Sequence, residues 1–476
     1  MGLKLFNTMG RELQDFLPIN KDEVSIYACG PTVYNFAHIG NLRTYVFEDI
    51  LKRVLVYLGY KVNHMMNITD VGHLTDDGDS GEDKMEKSAR EAGKTAWEIA
   101  QYYTDAFFKD TESLNIIKAD IVSKATDNID EMIALIKRLE EKGFTYISGG
   151  NVYFSIDNFP DYGKLALLDR QKLHAGARIE VDSNKKNPYD FVLWFTKSKF
   201  GNQTMVWDSP WGRGYPGWHI ECSAMSMKYL GENFDIHCGG IDHINVHHTN
   251  EIAQSEAATG KKWVNYWLHG EFLVLNKEKM AKSAGNFLTL ADLVKKGYSP
   301  LDYRYFCLTG HYRSQLQFSW ESLDSARNGR LNIIEKVKSC YEESDKKIAQ
   351  KALELSDNAQ KLVLNFIDSF EDDLNCPKAL AVLWTMLKDP NISPDEKVFL
   401  AVEFDKVLGL SLWEEINKES NTTIDDEVSN LIKERENARK NKDFKQADVI
   451  RDKLKELGIE IKDTSGGTVW SKSIQK

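Results

Sequence analysis

The sequence predicts an α/β fold built on a parallel sheet, followed by a helical C-terminal third. The short apolar run 24–28 leads into a glycine-bearing loop, and the run 42–58 after it carries apolar residues at helical spacing. A buried strand, a loop and an amphipathic helix in that order form the repeating unit of a parallel α/β sheet. A second strand is predicted over 61–69, and helical periods dominate 344–412. Sheet and helical bundle therefore follow one another along the chain.

Length and composition limit the class of protein. At 476 residues the chain exceeds one ordinary domain, so roughly two to four domains are expected. No apolar run approaches the roughly 18 residues of a membrane span. The first 18 residues mix charged and apolar side chains, so we expect no signal peptide, no membrane partner and a cytoplasmic location.

The cysteines and the net charge narrow the class further. Six cysteines lie far apart in the sequence, which is not a disulfide framework and suits a reducing compartment with thiols free for metal binding or catalysis. The net charge of −11 argues against a protein coated in nucleic acid. A local basic surface remains open, because phosphate contacts depend on where Lys and Arg lie.

The loop between the first strand and the first helix reads Cys29-Gly30-Pro31-Thr32-Val33-Tyr34-Asn35-Phe36-Ala37-His38-Ile39-Gly40-Asn41. Backbone N–H groups at the amino end of a helix favour an anion. Gly40 lets the backbone approach a ligand closely, and His38 can donate a hydrogen bond to a phosphate oxygen. The loop therefore predicts a nucleotide site, with ordinary turn residues as the alternative.

A second candidate site contains His247 and Glu251. The two residues are four apart in a predicted helix, so they project from one face and can offer a nitrogen and an oxygen to one metal ion. A solvated hydrogen bond is the alternative, and the spacing does not say which thiols, if any, join them. The strand predicted over 234–237 ends beside Gly239 and Gly240, which favour close approach of the backbone to a ligand.

A third motif contains two lysines, Lys279 and Lys282. Two lysines three apart on a short loop can reach both flanks of a triphosphate and neutralise charge on a leaving pyrophosphate. The same spacing is common on solvated surfaces, and that is the alternative.

These motifs together resemble a known family. The tetrapeptide from His38 to Asn41 is similar to the first signature of class I aminoacyl-tRNA synthetases, His-Ile-Gly-His, and the residues from Cys29 to Tyr34 are typical of the cysteinyl members. The segment 279–283 resembles the second signature, Lys-Met-Ser-Lys-Ser, with Ala281 in place of the first Ser. Asn41 differs from the usual His: an amide still donates a hydrogen bond but carries no charge. The resemblance runs from about residue 20 to 470.

The resemblance implies a set of site residues. It implies one zinc ion per chain that reads the substrate thiol, held by Cys29, Cys222, His247 and Glu251. It implies a pocket for the substrate cysteine at Thr69, Trp218 and His237, with Cys238 where the family commonly has Gly. It implies ATP binding by His38, Gly40, Lys279 and Lys282, catalysis by His38, Asn41, Lys279 and Lys282, and Mg²⁺ arriving with ATP.

The resemblance also implies a domain plan. We expect a Rossmann-type catalytic core, split by a connective-peptide insertion and followed by a stem-contact region, a helical bundle and a small anticodon-binding domain. The expected boundaries are 1–116 for the first half of the core, 117–204 for the insertion, 205–290 for the second half, 291–343 for the stem-contact region, 344–413 for the bundle and 426–476 for the last domain. The acidic, glycine-bearing segment 73–95 is expected to be a surface loop, and 414–426 a linker.

The last segment has its own charge pattern. Residues 431–476 hold 12 basic and 8 acidic residues, an excess of four basic residues in an otherwise acidic chain. Such a local positive charge suits contacts with phosphates. A charged helix-turn-helix is predicted over 433–458, and Trp470 could stack on an unpaired base. A solvated helical pair with a buried Trp is the alternative, and the resemblance favours RNA.

The implied activity is a cysteine–tRNA ligase that uses ATP, L-cysteine and tRNA(Cys), and a monomer is expected. The nearest alternative is a ligase that joins cysteine to an amino-sugar, as in mycothiol synthesis; it would lack the charged tail. A non-catalytic tRNA-binding relative would not need His38, Lys279 and Lys282. A small adenylyltransferase would need neither the zinc residues nor the length.

Overall fold

The computed structural model describes most of the chain. The described residues are 2–71, 74–76, 80–168, 183–197, 203–275, 278–279, 287–345, 353–417, 430–432, 434–435, 437–439, 443–456, 459–464 and 467–472. Within those ranges, no helix combines the length and the apolar content that crossing a bilayer requires.

A five-stranded parallel sheet forms the centre of the catalytic half. Its spatial order is β13-β12-β3-β4-β7. The strands are β3 Glu23–Ala28, β4 Lys61–Ile68, β7 Ile121–Lys124, β12 Phe234–Gly240 and β13 Val264–Gly270. The carboxyl ends of parallel strands meet at one edge, so the residues that follow β3, β4 and β12 are brought together there.

Alternate residues of the sheet face two separate cores. In β3, Val24, Ile26 and Ala28 belong to a core that continues into the C-terminal helices, whereas Tyr27 belongs to a second core under the insertion. Side chains of successive strand residues point to opposite faces, so a buried strand must satisfy both layers. This explains why the second half of β3, residues 26–28, is apolar on both faces, whereas Glu23 and Ser25 alternate with Val24 and Ile26 at its start.

The helix α1, Ile39–Tyr57, packs on the first of these faces. Its apolar residues recur at helical spacing, as the sequence predicts. The helix begins after His38, which is its N-cap residue. The helices α5 Trp218–Leu230 and α6 His247–Thr259 cover the opposite face. Both carry buried polar residues at the sheet edge, where the donor residues of the site lie.

An antiparallel four-stranded sheet is inserted between the two halves of the core. It has the order β11-β10-β9-β8, formed by β8 Thr145–Ser148, β9 Asn151–Phe154, β10 Phe191–Phe195 and β11 Tyr215–Pro216. Strand β7 pairs with β4 in the parallel sheet. The parallel sheet therefore extends beyond the expected boundary at residue 116, into the range predicted for the insertion.

The acidic segment 73–95 differs from the expected loop. Its described residues form a hairpin, β5 Leu74–Asp76 with β6 Ser80–Asp83, followed by the helix α2 Lys84–Ala92. Asp83 caps that helix by accepting hydrogen bonds from Met85 N and Glu86 N, and Gly93 ends it in the left-handed conformation. The loop prediction was wrong because acidic residues were taken as solvated, whereas here one of them is a helix cap. The helices α3 Ala96–Ser113 and α4 Ile129–Glu141 follow.

Helices make up most of the C-terminal third. They are α7 Leu290–Lys295, α8 Pro300–Leu308, α9 Trp320–Glu343, α10 Asp357–Glu371, α11 Cys376–Lys388, α12 Pro394–Leu408, α13 Leu412–Asn417 and α14 Phe444–Glu456. Helix α13 occupies the start of the predicted linker. The chain continues into an antiparallel hairpin, β17 Ile459–Thr464 with β18 Gly467–Lys472, in which Trp470 pairs with Ile461.

Three short pairings complete the fold. At the N-terminus β1 Lys4–Asn7 pairs with β2 Glu12–Asp15. Near the site β14 Leu273–Leu275 pairs antiparallel with β15 Glu278–Lys279 and parallel with β16 Leu316–Phe318.

Candidate functional site

A cavity of about 780 Å³ opens at the carboxyl edge of the parallel sheet. The loop from Cys29 to Asn41 forms one wall, and residues after β12 and β13, including Gly240 and Gly270, form another. Lys84 and Lys87 of α2 line a third side. The nucleotide site expected from the sequence thus coincides with a cavity at the sheet edge.

His38 and Asn41 cap the first helix reciprocally. The Asn41 backbone N–H donates to His38 Nδ1 over 3.0 Å, and the His38 backbone N–H donates to Asn41 Oδ1 over 3.3 Å. A neutral imidazole that accepts at Nδ1 carries its proton on Nε2. The cap therefore selects the His38 tautomer in which Nε2 carries the proton and can donate it. It also occupies the Asn41 side-chain oxygen in a hydrogen bond with the His38 backbone N–H.

At two positions of this loop, neighbouring atoms leave no room for any residue larger than glycine. A Cβ on Gly30 would lie 1.6 Å from the Asn67 carbonyl oxygen, and a Cβ on Gly40 would lie 2.9 Å from His38 Nδ1. Gly40 lines the cavity, so its missing side chain leaves the helix terminus open to a ligand.

The four residues predicted to hold zinc lie together. Cys29 follows β3, Cys222 is on α5, and His247 and Glu251 are one turn apart on α6; one ligand atom from each falls within 4.8 Å of the others, and all four are buried. Tetrahedral zinc with bonds of 2.0–2.3 Å sets its ligand atoms roughly 3.3–3.8 Å apart. Cys222 Sγ is 3.5 Å from His247 Nε2.

The chemistry of this donor set fits a thiophilic cation. His247 Nε2 lies 2.6 Å from Glu251 Oε1, an ion-pair distance shorter than the separation of two ligands on one zinc ion, and Oε1 meets hydrogen-bond geometry with none of the described donors. A buried carboxylate oxygen without a hydrogen bond is costly unless a cation satisfies it. Two sulfurs, one imidazole and one carboxylate are ligands that zinc accepts.

Electrostatics inside the donor set separate the two thiols. Burial raises the pKa of Cys29 well above its usual range, and contact with Cys222 raises it further. Burial also opposes ionisation of Cys222, but the Cys29 thiol and His247 lower the pKa of Cys222 to about 6. For Glu251 the His247 and His237 charges outweigh burial and hold the pKa well below its usual range. Within the set, the surroundings therefore favour ionisation of Glu251 and of Cys222 over ionisation of Cys29.

A second group of donors overlaps the first. Cys29 and Glu251 also lie within 4.8 Å of His237 and His248. His237 Nε2 is 2.7 Å from Glu251 Oε2, and Cys29 Sγ is 3.4 Å from His248 Nε2. His237 is expected in the cysteine pocket from the family resemblance, whereas His248 was not predicted as a site residue. Its position directly after His247 was the available signal.

The residues predicted for the cysteine pocket surround the donor set. Thr69 Oγ1 donates to Glu221 Oε2 over 3.0 Å, and the Trp218 ring stacks on His247 with centroids 4.3 Å apart. His237 stacks on Trp267 at 4.6 Å. Glu221, fully buried on α5 beside Cys222, was missed because a lone Glu in a helix has no distinguishing pattern.

The second lysine motif lies only partly within the described residues. The Lys279 backbone pairs with Val274 in the hairpin of β14 and β15. Lys282 and Ala281 lie outside the described residues. Cys238 is buried in β12, where its carbonyl oxygen accepts a hydrogen bond from Cys29 N–H over 3.2 Å; it belongs to neither donor group.

Two family models match this chain. One is described as the class I (C) tRNA synthetase catalytic domain and covers residues 15–328. The other is described as the cysteinyl-tRNA ligase anticodon binding domain and covers residues 421–470. The two matches together span most of the chain.

Relatives and solved structures agree with these models. A cysteine–tRNA ligase of Treponema denticola is 57% identical over 491 residues, covering 99% of this chain and 100% of that protein. One of Borrelia hermsii is 48% identical, covering 98% and 99%. In fold, the chain is similar to methionyl-tRNA synthetase of Mycobacterium tuberculosis in complex with methionyl-adenylate, with a TM-score of 0.58, 15% identity, and 84% and 95% of the two chains covered. The chain belongs to the cysteine–tRNA ligase family of class I aminoacyl-tRNA synthetases.

Proposed function

We propose that the enzyme activates L-cysteine with ATP and transfers it to the 3′-terminal adenosine of tRNA(Cys). One observation carries the proposal: Cys29 belongs to the buried donor set and also lines the cavity that contains His38 and Gly40. A thiol-reading group and an anion-binding helix terminus therefore share one cavity. That is what joining cysteine to a nucleotide requires.

In the first step a carboxylate oxygen of cysteine attacks the α-phosphorus of ATP. The new bond joins that oxygen to the phosphorus, and the bond to the bridging oxygen breaks, so that pyrophosphate leaves. His38 Nε2–H and the Gly40 N–H of α1 would donate to the phosphate oxygens, and Lys279 and Lys282 would neutralise the leaving pyrophosphate. The Asn41 side chain acts through the cap on His38. Mg²⁺ arrives with ATP.

Selection of cysteine rests on the donor set. Cys29, Cys222, His247 and Glu251 would hold one zinc ion, which when bound supplies affinity for a thiolate over a hydroxyl. A shape pocket alone separates serine from cysteine poorly, because the two differ by one atom of similar size. Thr69, Trp218 and His237 would enclose the rest of the amino acid, and the contact of Trp218 with His247 fixes that imidazole.

In the second step a terminal ribose hydroxyl of the tRNA attacks the acyl carbon and AMP leaves. The anticodon-domain match at 421–470 supports a tRNA substrate over an amino-sugar. We propose a cytoplasmic location, which the six free cysteines support, and a monomeric enzyme. A non-catalytic tRNA-binding protein is the second candidate.

The proposal is tested by cysteine-dependent exchange of pyrophosphate into ATP, with serine as the control amino acid. We expect exchange with cysteine, at least about 100-fold less with serine, and its loss after chelation with recovery on adding zinc. Charging of tRNA(Cys) then separates the tRNA ligase from the amino-sugar ligase. If zinc-replete, folded protein exchanges nothing, the enzymatic proposal fails and the non-catalytic candidate stands.

A further inference from the structure

Arg43 is a buried charge with unusual partners. It lies on α1, one turn after Gly40, with 4% of its surface exposed. Nη1 donates to the carbonyl oxygens of Glu271 and Phe272 over 2.7 and 2.6 Å. Nη2 donates to the carbonyl oxygens of His311 and Ser314 over 3.2 and 2.5 Å. One planar guanidinium therefore joins α1 to two separate loops.

Those two loops hold the base of the hairpin that carries Lys279. Glu271 and Phe272 connect β13 to β14, and residues 311–314 precede β16. Strand β14 lies between β16 and β15, and the Lys279 backbone pairs with Val274. The 311–314 loop also packs on α1, because Tyr312 stacks on Phe47 with ring centroids 4.3 Å apart. Arg43 thus bonds residues 271–272, which lead into β14, to the helix that begins at the first signature.

The far end of the same segment returns to α1 as well. Ile39 N–H donates to the Leu288 carbonyl oxygen over 2.8 Å, and His38 forms a β-bridge with Thr289. Tyr303 holds this point from the other side by donating its hydroxyl to the Ile39 carbonyl oxygen over 2.6 Å. The described residues 271–272 and 288–289, before and after the second signature in the sequence, are therefore both bonded to α1 or to its capping residue.

We propose that Arg43 is a positioning residue for adenylate formation. It acts through Lys279, by holding strand β14, which pairs with the Lys279 backbone, in register with His38 and Gly40, and it does not itself contact substrate. The proposal rests on the proposed function, because it assigns a task to the same phosphate-binding cavity. A lysine would not replace it, since an ammonium cannot span carbonyl groups on two loops with a fixed planar fork.

Arg53 provides a matched control on the same helix. It is 9% exposed and likewise donates to backbone carbonyl oxygens, of Lys406 and Asn115, but on the side of the helical bundle. The test compares R43A and R43K with R53A and R53K in three measurements: thermal unfolding, zinc content and the rate of pyrophosphate exchange. We expect R43A to lower the exchange kcat about 100-fold and R43K about tenfold, with cysteine KM and zinc content unchanged. The R53 variants should keep their kcat within about twofold at a comparable loss of stability.

Hydrogen exchange gives a second readout that is independent of activity. The backbone amides of Leu273–Leu275 should exchange faster in R43K than in wild type and remain as protected in R53K as in wild type. The proposal is overturned if R43K keeps wild-type kcat, if the R43 and R53 variants lose activity in parallel, or if these amides stay protected in R43K. If the wild-type protein catalysed no pyrophosphate exchange, the proposed function would be overturned instead. The comparison of amide hydrogen exchange would still decide whether Arg43 holds the hairpin.

Discussion

His38 and Asn41 hold each other at the start of α1: the Asn41 N–H donates to His38 Nδ1, and Asn41 Oδ1 accepts from the His38 N–H. The fourth residue of the first signature therefore has a structural task that an amide performs. A serine performs the same task in α9, where Ser322 occupies the corresponding capping position and bonds the Ser319 N–H. The departure of Asn41 from the usual histidine is compatible with an intact helix terminus.

Charge at position 41 is expected to reduce activity without reducing stability. Asn41→Asp keeps the capping oxygen, and an acidic side chain suits a helix N-terminus. Asn41 lines the cavity proposed to bind ATP; if the new charge came within about 5 Å of a phosphate, the repulsion would cost roughly 3 kcal/mol at an effective dielectric constant of 20, so pyrophosphate exchange should slow about 100-fold. Asn41→Ser keeps an oxygen without the charge and should stay within a few-fold of wild type. Equal rates for the Asp and Ser variants would place residue 41 away from the phosphates.

Cobalt substitution should distinguish the two overlapping donor groups. In the proposed set both Cys29 and Cys222 ligate, so Co²⁺ should give a thiolate charge-transfer band of which either Cys→Ser change removes about half. His248→Gln should leave the intensity unchanged. Cys340→Ser, outside both groups, is the control. A band insensitive to Cys222→Ser but lost with His248→Gln would assign the metal to the group of His237 and His248.

Removing Asp49 should destabilise the junction between the core and the helical bundle. Asp49 Oδ2 accepts from Arg304 Nη2 over 2.6 Å and from Arg53 Nε over 2.7 Å, all in the interior. Asp49→Asn leaves two guanidinium groups without their carboxylate, for an expected cost of about 3–5 kcal/mol in urea unfolding. Glu23→Gln, in an exposed pair with Lys61, should cost no more than about 1 kcal/mol. Similar costs for both variants would contradict this account.

Acid sensitivity should depend on Glu396. Its carboxylate accepts hydrogen bonds from Ser393 N, Ser393 Oγ and Ser356 N, and these bonds, against the effect of burial, lower its pKa to about 2. Because this pKa lies below the unfolded value near 4.3, the carboxylate stabilises the fold fully above about pH 5. That stability is lost as pH falls toward 2.

The variant Glu396→Gln should therefore lose about 1–3 kcal/mol at pH 7 and depend less on pH between 5 and 2. Unfolding midpoints measured across that range test this, with the exposed Glu354→Gln as control. An unchanged pH dependence in the Glu396 variant would show that the acid-sensitive group lies elsewhere.

The parts of the site that the sequence predicted are those set by local spacing. His38 and Gly40 had to follow a strand and begin a helix, and His247 and Glu251 had to share a helical face. The thiols came from family resemblance, since no spacing connects Cys29 to Cys222. Arg43 could not be predicted, because its partners are backbone carbonyl oxygens more than 200 positions away, and every residue has such an oxygen.

Two features of the fold differ from what the local sequence pattern suggests. Strand β7 is short and flanked by polar residues, so its place in the parallel sheet follows from pairing with β4 and not from its own pattern. The acidic stretch before Lys84 contains a helix cap that resembles a solvated loop in composition. Long-range strand pairing decided the first case, and a local side-chain cap decided the second.

The order of strands in the parallel sheet has a consequence for synthesis of the protein. Strand β3 lies between β4 and β12, but β12 is translated only after the whole insertion. A nascent chain that ends before residue 234 exposes one side of β3 and holds only Cys29 and Cys222 of the four donors. Contacts between distant parts of a chain form late in folding. A metal ion held by the four proposed donors would thus meet its full set of ligands only after Glu251 has left the ribosome, which would make metal loading a late event in the maturation of the catalytic core.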